Sequence, residues 1–315
     1  MRRFSLAAAL VAVPALVSGA DLTARAALSL VPGTPDTAQA AFAMWRDDNG
    51  QLKPAGQLKT FEDAMNAHMT AQSQAAMQKQ MGGMNPQMSA QMQAAMNSPE
   101  AAAKLQQQMQ NMSPAQLMAM AQQMQAPMPQ ATAVSDHDQA LVRQINVYPG
   151  MMDVDQKVNQ ARMDQAALDE QWNKQRQAFD EKARDEQNKL PACPGEAGEP
   201  AADKVRDVQL KYADQRLAAV NGYLAKSKAI EQRMRAAVAP RVAYGDQAIA
   251  AWGQLQGQGI KQMTQSQADA ALSMGIADAS NVAGIVENAS RMAANEVLAR
   301  KAIVEMYKDI KPGCG

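Results

Sequence analysis

The chain has few of the residues on which most globular cores and most active sites depend. Aromatic side chains make up only 4% of its 315 residues. β-Branched residues are sparse, and no alternating apolar–polar run of useful length is present, so a sheet is not expected. Lys plus Arg and Asp plus Glu stand at 31 each. That balance creates no global field toward nucleic acid or acidic lipid, and no nucleic-acid partner is expected. There are 2 histidines and 2 cysteines. HExxH, G-x-S-x-G, P-loop and Rossmann glycine patterns are all missing. Gly257-Gln258-Gly259 reads as an inter-helix turn, and His68 and His137 lie far apart with no recognisable nucleophile beside them. The expectation is a protein that is not an enzyme and needs no cofactor. Ala, Gln and Met fill the space left by the missing types, and all three favour helix. The expected fold class is all-α: short Met-rich helices followed by a long antiparallel three-helix coiled-coil-like bundle.

The first 20 residues read as a signal peptide. MRRFS is a short basic region, Leu6–Val17 is apolar, and Ser18-Gly19-Ala20 supplies small residues for cleavage after Ala20, with Ala24-Arg25-Ala26 as a second choice. At about 1.5 Å per residue the apolar run reaches roughly 18 Å, short of a bilayer core of about 30 Å. No later run is apolar enough to span. The mature chain is therefore expected to be periplasmic or secreted, without a transmembrane span. In such a compartment Cys193 and Cys314 are expected to form one disulfide.

Residues 21–59 are mixed, with Thr34-Pro35 expected to start a short helix through Trp45. Asp47–Gly50 (DDNG) reads as a turn. An EF-hand alignment fails there, because it puts Trp45 at the first ligand position and Gly56 where a bidentate acid belongs. Residues 60–135 form a Met/Gln/Ala-rich module. Between Ala71 and Val134 the only charges are Lys79, Glu100 and Lys104. Asn85-Pro86, Ser98-Pro99 and Ser113-Pro114 each carry an N-cap residue followed by proline, and Ser113 with Gln116 completes a capping box. Helices are expected over 60–81, 86–97, 99–112 and 114–126, then a linker over 136–150.

Residues 151–315 carry the bundle. Val154, Val158, Ala161, Gln165, Leu168, Trp172, Gln175 and Phe179 alternate by four and three, a heptad seam with two polar insertions. Pro191–Pro200 stops that helix. A second helix restarts at Pro200 with a seam through Leu210, Ala213, Leu217, Val220 and Leu224, and Pro240 is expected to kink or break it. A third begins at the Thr264–Gln267 capping box and runs to about Ile310. Three antiparallel passes put Cys314 at the same end as Cys193. Closing a loop of about 120 residues would contribute roughly 4–5 kcal/mol in the chain-entropy treatment. The seams also leave the chain open to oligomer formation.

The methionines carry the functional question. Met77, Met81, Met84, Met88, Met92 and Met96 are three or four residues apart, and Met109, Met112, Leu117, Met120 and Met124 continue the spacing. On short helices they share a face. A packed core is the plain reading, although methionine defines shape poorly. A tract without fixed structure is another. Soft thioethers also suit cuprous ion, with Met65, His68 and Met69 on one helical face as the alternative metal set. The remaining reading is an adaptable apolar surface for a protein partner. Asn85-Pro86, Ser98-Pro99 and NMSPAQLMAMAQQM at 111–124 resemble the client-binding helical repeats of ubiquilins and chaperone-organising co-chaperones, over about residues 85–126. That resemblance implies short amphipathic helices around an apolar groove that takes up exposed client helices. The expected function is an exported protein-interaction or scaffold protein of the cell envelope. The alternatives are a methionine-rich copper-binding protein and a structural component of an envelope or secretion assembly.

Overall fold

The computed structural model describes residues 22–46, 51–82, 134–146, 150–194 and 199–313, with side chains of 77–82 left aside. The described residues are all-α. The elements are α1 (Ala24–Leu30), α2 (Ala38–Met44), α3 (Gly56–Gly82), α4 (Asp136–Asn146), α5 (Met151–Gln187), α6 (Ala202–Gln254) and α7 (Gln258–Met306). Two isolated bridges, Arg46 with Leu52 and Ala192 with Pro200, are the only β-type pairings among them. No helix among the described residues is long and apolar enough to cross a membrane.

The chain divides into two units. One comprises Thr23–Asp63 and Val134–Gly315; the other is described here only through Leu22 and the part of α3 beyond Asp63. Residues 21–59 and 136–150, set apart in the sequence reading as a segment and a linker, thus contribute helices to the same unit as the bundle.

Within that unit α5, α6 and α7 run up, down and up. Asp155, Asp164 and Asp180 of α5 meet Arg241, Arg233 and Arg216 of α6 in reverse order. Asp278 and Glu296 of α7 meet Arg241 and Arg216, again in reverse. The α5 seam is buried from Val154 through Val158, Ala161, Gln165, Leu168 and Trp172. It ends there, since Gln175 is exposed and Phe179 only half-buried.

The α6–α7 contact is built differently. Its α7 side is mostly small: Ala268, Ala271, Gly275, Ala279, Ala283, Ala289, Ala293 and Ala294 are all buried. Small side chains let two helix backbones approach closely, and glycine marks the closest points. A Cβ on Gly245 of α6 would lie 2.8 Å from the Ala271 carbonyl oxygen. One on Gly275 of α7 would lie 3.3 Å from Val242 Cα and 2.6 Å from Ala24 Cβ.

The other face of α6 and α7 is covered by α1 and α2. Ala24, Ala27, Ala38, Ala41 and Phe42 are buried in that contact layer. Helix α4 packs beside the α6–α7 turn, where Leu141 and Ile145 join Ala251, Leu255 and Ala268.

Several expected boundaries move. Pro240 does not break α6, which runs through it with Val238, Arg241 and Val242 buried on either side. Packing of that turn outweighs the roughly 3 kcal/mol that an interior proline costs. Thr264 is not a cap: α7 starts at Gln258, and the Thr264 hydroxyl donates back to the Ile260 carbonyl at 2.8 Å. Thr60 likewise donates to the Gly56 carbonyl, because α3 starts at Gly56. Thr37, not Thr34, caps the helix that follows Pro35, accepting from Ala40 N at 3.2 Å, and a separate helix α1 capped by Thr23 precedes it.

Two glycines in α6 make a paired test of this packing. Gly245→Ala must displace main chain, and is expected to cost about 1–3 kcal/mol. Gly222→Ala meets nothing within 4 Å and is expected to stabilise by about 0.5–1 kcal/mol through helix propensity. Urea midpoints at unchanged m-value measure both.

Candidate functional site

Three polar layers cross the bundle, each with a side chain of α6 in it. In the first, the Arg241 guanidinium donates through Nε and Nη2 to both oxygens of Asp278, at 2.6 Å each, and through Nη1 to Asp155. Asp278 is 1% exposed. The two carboxylates hold the Arg241 charge firmly in place, the Asp278 hydrogen bonds most of all.

In the second layer, Tyr223 donates to Asp169 at 2.7 Å and accepts from Gln165 Nε2 at 3.1 Å. Gln165 Oε1 accepts from Ser227 at 2.9 Å, and Asn288 of α7 donates to the other Asp169 oxygen at 2.5 Å. Burial and the Asp169 carboxylate push the Tyr223 hydroxyl well above its ordinary range. In the third layer, Arg216 bridges Asp180 of α5 and Glu296 of α7, the latter at 2.9 Å. Burial raises Glu296 above the usual carboxylate range, against the opposing pull of Arg216 and Arg176.

These layers are consumed by one another. They hold helices together, with Asp155 and Asp180 on the outer side partly exposed. Among the described residues, no group of three or more His, Cys, Asp or Glu side chains is placed to hold a metal.

Helix ends are handled in the same way. Asp138 of α4 accepts from Gln256 N and Gly257 N at 3.0 Å each, capping the start of α7 from a different helix. Those main-chain donors, Gln256 first, hold the Asp138 carboxyl below its usual range.

Free apolar surface is left at a few places, and much of it is methionine. Met152 is 86% and Met163 66% exposed. They bracket a groove of about 480 Å³ on the outer face of α5, with Gln156 and Asn159 between them. A second groove of about 360 Å³ lies between α4 and the start of α7, lined by Val134, Val142, Ile260 and Met263.

The methionine set singled out by the sequence falls mostly elsewhere. Met77 and Met81 lie on α3, with side chains outside the description. Met84, Met88, Met92, Met96, Met109, Met112, Leu117, Met120 and Met124 lie outside the described residues. Of the alternative copper set, His68 is buried, Met65 is half-buried and Met69 is 61% exposed. Cys193 is buried beside the Ala192–Pro200 pair, with its amide donating to the Glu199 carbonyl at 2.9 Å. Cys314 lies outside the described residues.

Sequence reading missed Arg216, Arg241 and Glu231 as interior residues. The usable signal was there: each falls in the buried phase of α6, where a charge needs a partner.

No family model, curated protein or solved structure matches the chain.

A buried ion pair costs most when half of it is removed. Asp278→Ala leaves Arg241 with only the exposed Asp155, and is expected to destabilise by about 3–5 kcal/mol. Arg241→Leu combined with Asp278→Leu is expected to cost much less, or to be neutral. Chemical denaturation of the two variants decides this; a double variant as damaged as the single one contradicts it.

Proposed function

We propose that this is an exported, non-enzymatic interaction or scaffold protein of the cell envelope, which meets a protein partner through methionine-lined helical surfaces. The observation that carries this reading is a division of labour in the bundle-containing unit. Its layer charges are spent on one another, and its alanines and valines fill the α6–α7 contact. Met152 and Met163 are left facing outward on α5. Thioethers at such positions adapt to differently shaped apolar guests. The methionine stripe from Met77 to Met124 extends the same habit in sequence.

Two features support the export reading. Cys193 is buried at one end of α5 and α6, the end at which α7 finishes, and the described residues include no free thiol. A Cys193–Cys314 disulfide would tie the end of the chain to that corner. The start of α1 also favours the first of the two cleavage choices. Thr23 caps α1, and Ala24 is fully buried with its amide 2.7 Å from Asp246. Cutting after Ala26 would discard all of this, whereas cutting after Ala20 keeps it.

Mature protein from the envelope fraction is therefore expected to begin at Asp21. It should show no titratable thiol when unfolded, and two after reduction. Intact mass and a thiol count check both. A start at Ala27, or two free thiols without reduction, contradicts the respective point, and an uncleaved cytosolic chain contradicts export.

The partner surface is separated from the copper alternative by one variant set, Leu at Met81, Met84, Met88, Met92 and Met96. The expectation is negligible cuprous-ion binding by the parent chain under anaerobic, reducing conditions, with suppression of aggregation of a reduced helical client protein retained in the Leu variant. Tight cuprous binding that the variant loses would establish the metal reading instead.

A further inference from the structure

Residues 23–46 form an arm that crosses α6 and α7, and α6 reads this arm chiefly through its main chain. Asp246 accepts from Ala24 N at 2.7 Å and Arg25 N at 3.2 Å, at the start of α1. Arg235 donates to the carbonyls of Leu28, Val31 and Pro32 at 3.2, 2.9 and 2.9 Å, where α1 ends. Glu231 accepts from Thr34 N at 2.8 Å and holds the Arg235 guanidinium at 2.5 Å. Asn221 accepts from Ala38 N at 2.9 Å, where α2 starts.

So one helix adds partners at both ends of α1 and at the beginning of α2, beside the local caps Thr23 and Thr37. Each of those helices has 7 residues, about half the length at which an isolated helix holds in water. The arm is folded because it lies on this groove. Its termini are satisfied by the local caps Thr23 and Thr37 together with side chains some 200 positions away in sequence.

Side-chain fit narrows what the groove accepts. Ala24 faces Gly275, where a Cβ would come within 2.6 Å. The Phe42 ring lies under Lys301 at 4.1 Å, Trp45 Nε1 donates to Ser290 at 2.8 Å, and Asp36 pairs with Lys228 at 2.6 Å. Such a groove calls for an Ala-rich helix–turn–helix with Asp, Phe and Trp at fixed offsets. Any second copy of this chain carries that segment.

We infer that residues 23–46 are an exchangeable arm, and that the α6–α7 groove takes the arm of a second copy of the same chain. Exchange rebuilds each of these contacts between chains, so the docked states differ little in contact energy. This is the condition under which swapping is a low-cost route to assembly. Besides the groove contacts themselves, what must open is the Arg46–Leu52 pair and the hydrogen bonds from Lys53 N to Trp45 O and from Ala55 N to Met44 O, each 2.8 Å. The inference is independent of export and of the methionine surface.

The test uses unmodified protein. Mature chain is prepared with light and with heavy nitrogen, mixed in equal amounts, incubated, and coupled with a zero-length carbodiimide across Lys228 and Asp36. Mass spectrometry of the coupled peptides then reports whether both halves came from one population. Mixed-isotope product is expected to rise from near zero at the moment of mixing toward about half of the total, the limit for random reassortment between copies. The rise should be faster at low protein concentration, where copies separate, and faster in Arg235→Ala, which loses three carbonyl contacts but keeps the coupled pair. Same-isotope product alone, after long incubation and after the two populations are refolded together, overturns exchange. Mixed product already maximal at mixing means collision chemistry and also overturns it. Absence of Lys228–Asp36 product means that the arm is not on the groove, with the same consequence.

Discussion

Two guanidinium groups set the alignment of the three long helices. Arg216 and Arg241 each stand on α6 between a carboxylate of α5 and a carboxylate of α7. The step from one to the other is 25 residues on α6, and the step from Asp155 to Asp180 on α5 is the same. Matching steps are what two antiparallel helices of equal rise require. The apolar surface cannot do this alone. A face of Ala268, Ala271, Ala279, Ala283, Ala289 and Ala293 looks much the same after a slip of one turn. A slip that parts Arg241 from Asp278 leaves a buried charge unpaired, which costs several kcal/mol. The polar layers add little net stability over well-packed apolar residues; what they supply is a penalty on every other register.

That alignment in turn makes the N-terminal arm possible. Asn221, Glu231, Arg235 and Asp246 lie along 25 residues of α6, so they span about 37 Å. The arm groups they hold run in the opposite direction from Ala38 back to Ala24. Gly275 must face Ala24 across the groove for α1 to seat, and Gly275 is placed by the α6–α7 register. An arm made of two seven-residue helices thus depends on a register set by residues far from it in sequence.

This dependence explains which parts were legible in the sequence. The α5 seam was readable because heptad spacing and burial report the same face, and Val154 to Trp172 are buried as that spacing requires. Gln165 showed as a polar insertion in that seam, and it sits at the centre of the middle layer. Local signals did worse where tertiary packing overrode them. The Thr264–Gln267 pair has the chemistry of a capping box, yet Asp138 caps α7 seven residues earlier, from another helix. Pro240 carries a helix-breaking signal that the packing of Val238 and Val242 overrides. Of the arm, the helix ending near Trp45 was legible from Thr34-Pro35, but its docking on α6 was not, because main-chain groups accept partners regardless of side-chain identity. As for the candidate surface, Met152 and Met163 were passed over because they lie outside the α5 seam and far from the methionine-rich zone.

Methionine itself is used in two ways within the bundle. Met234 is fully buried on α6, while Met152, Met163, Met263 and Met306 face outward. Spacing alone does not separate these cases. Context does: Met234 lies in a continuous buried phase with Ile230, Glu231, Val238 and Val242, whereas Met152 and Met163 have polar Gln156 and Asn159 between them. The stripe from Met77 to Met124 lies among uncharged glutamines, with methionine itself as the repeating apolar type. Its sequence lacks the valines and isoleucines that accompany methionine in the α6 interior. Without such company, it is the adaptability of the thioether that the proposed partner surface would draw on.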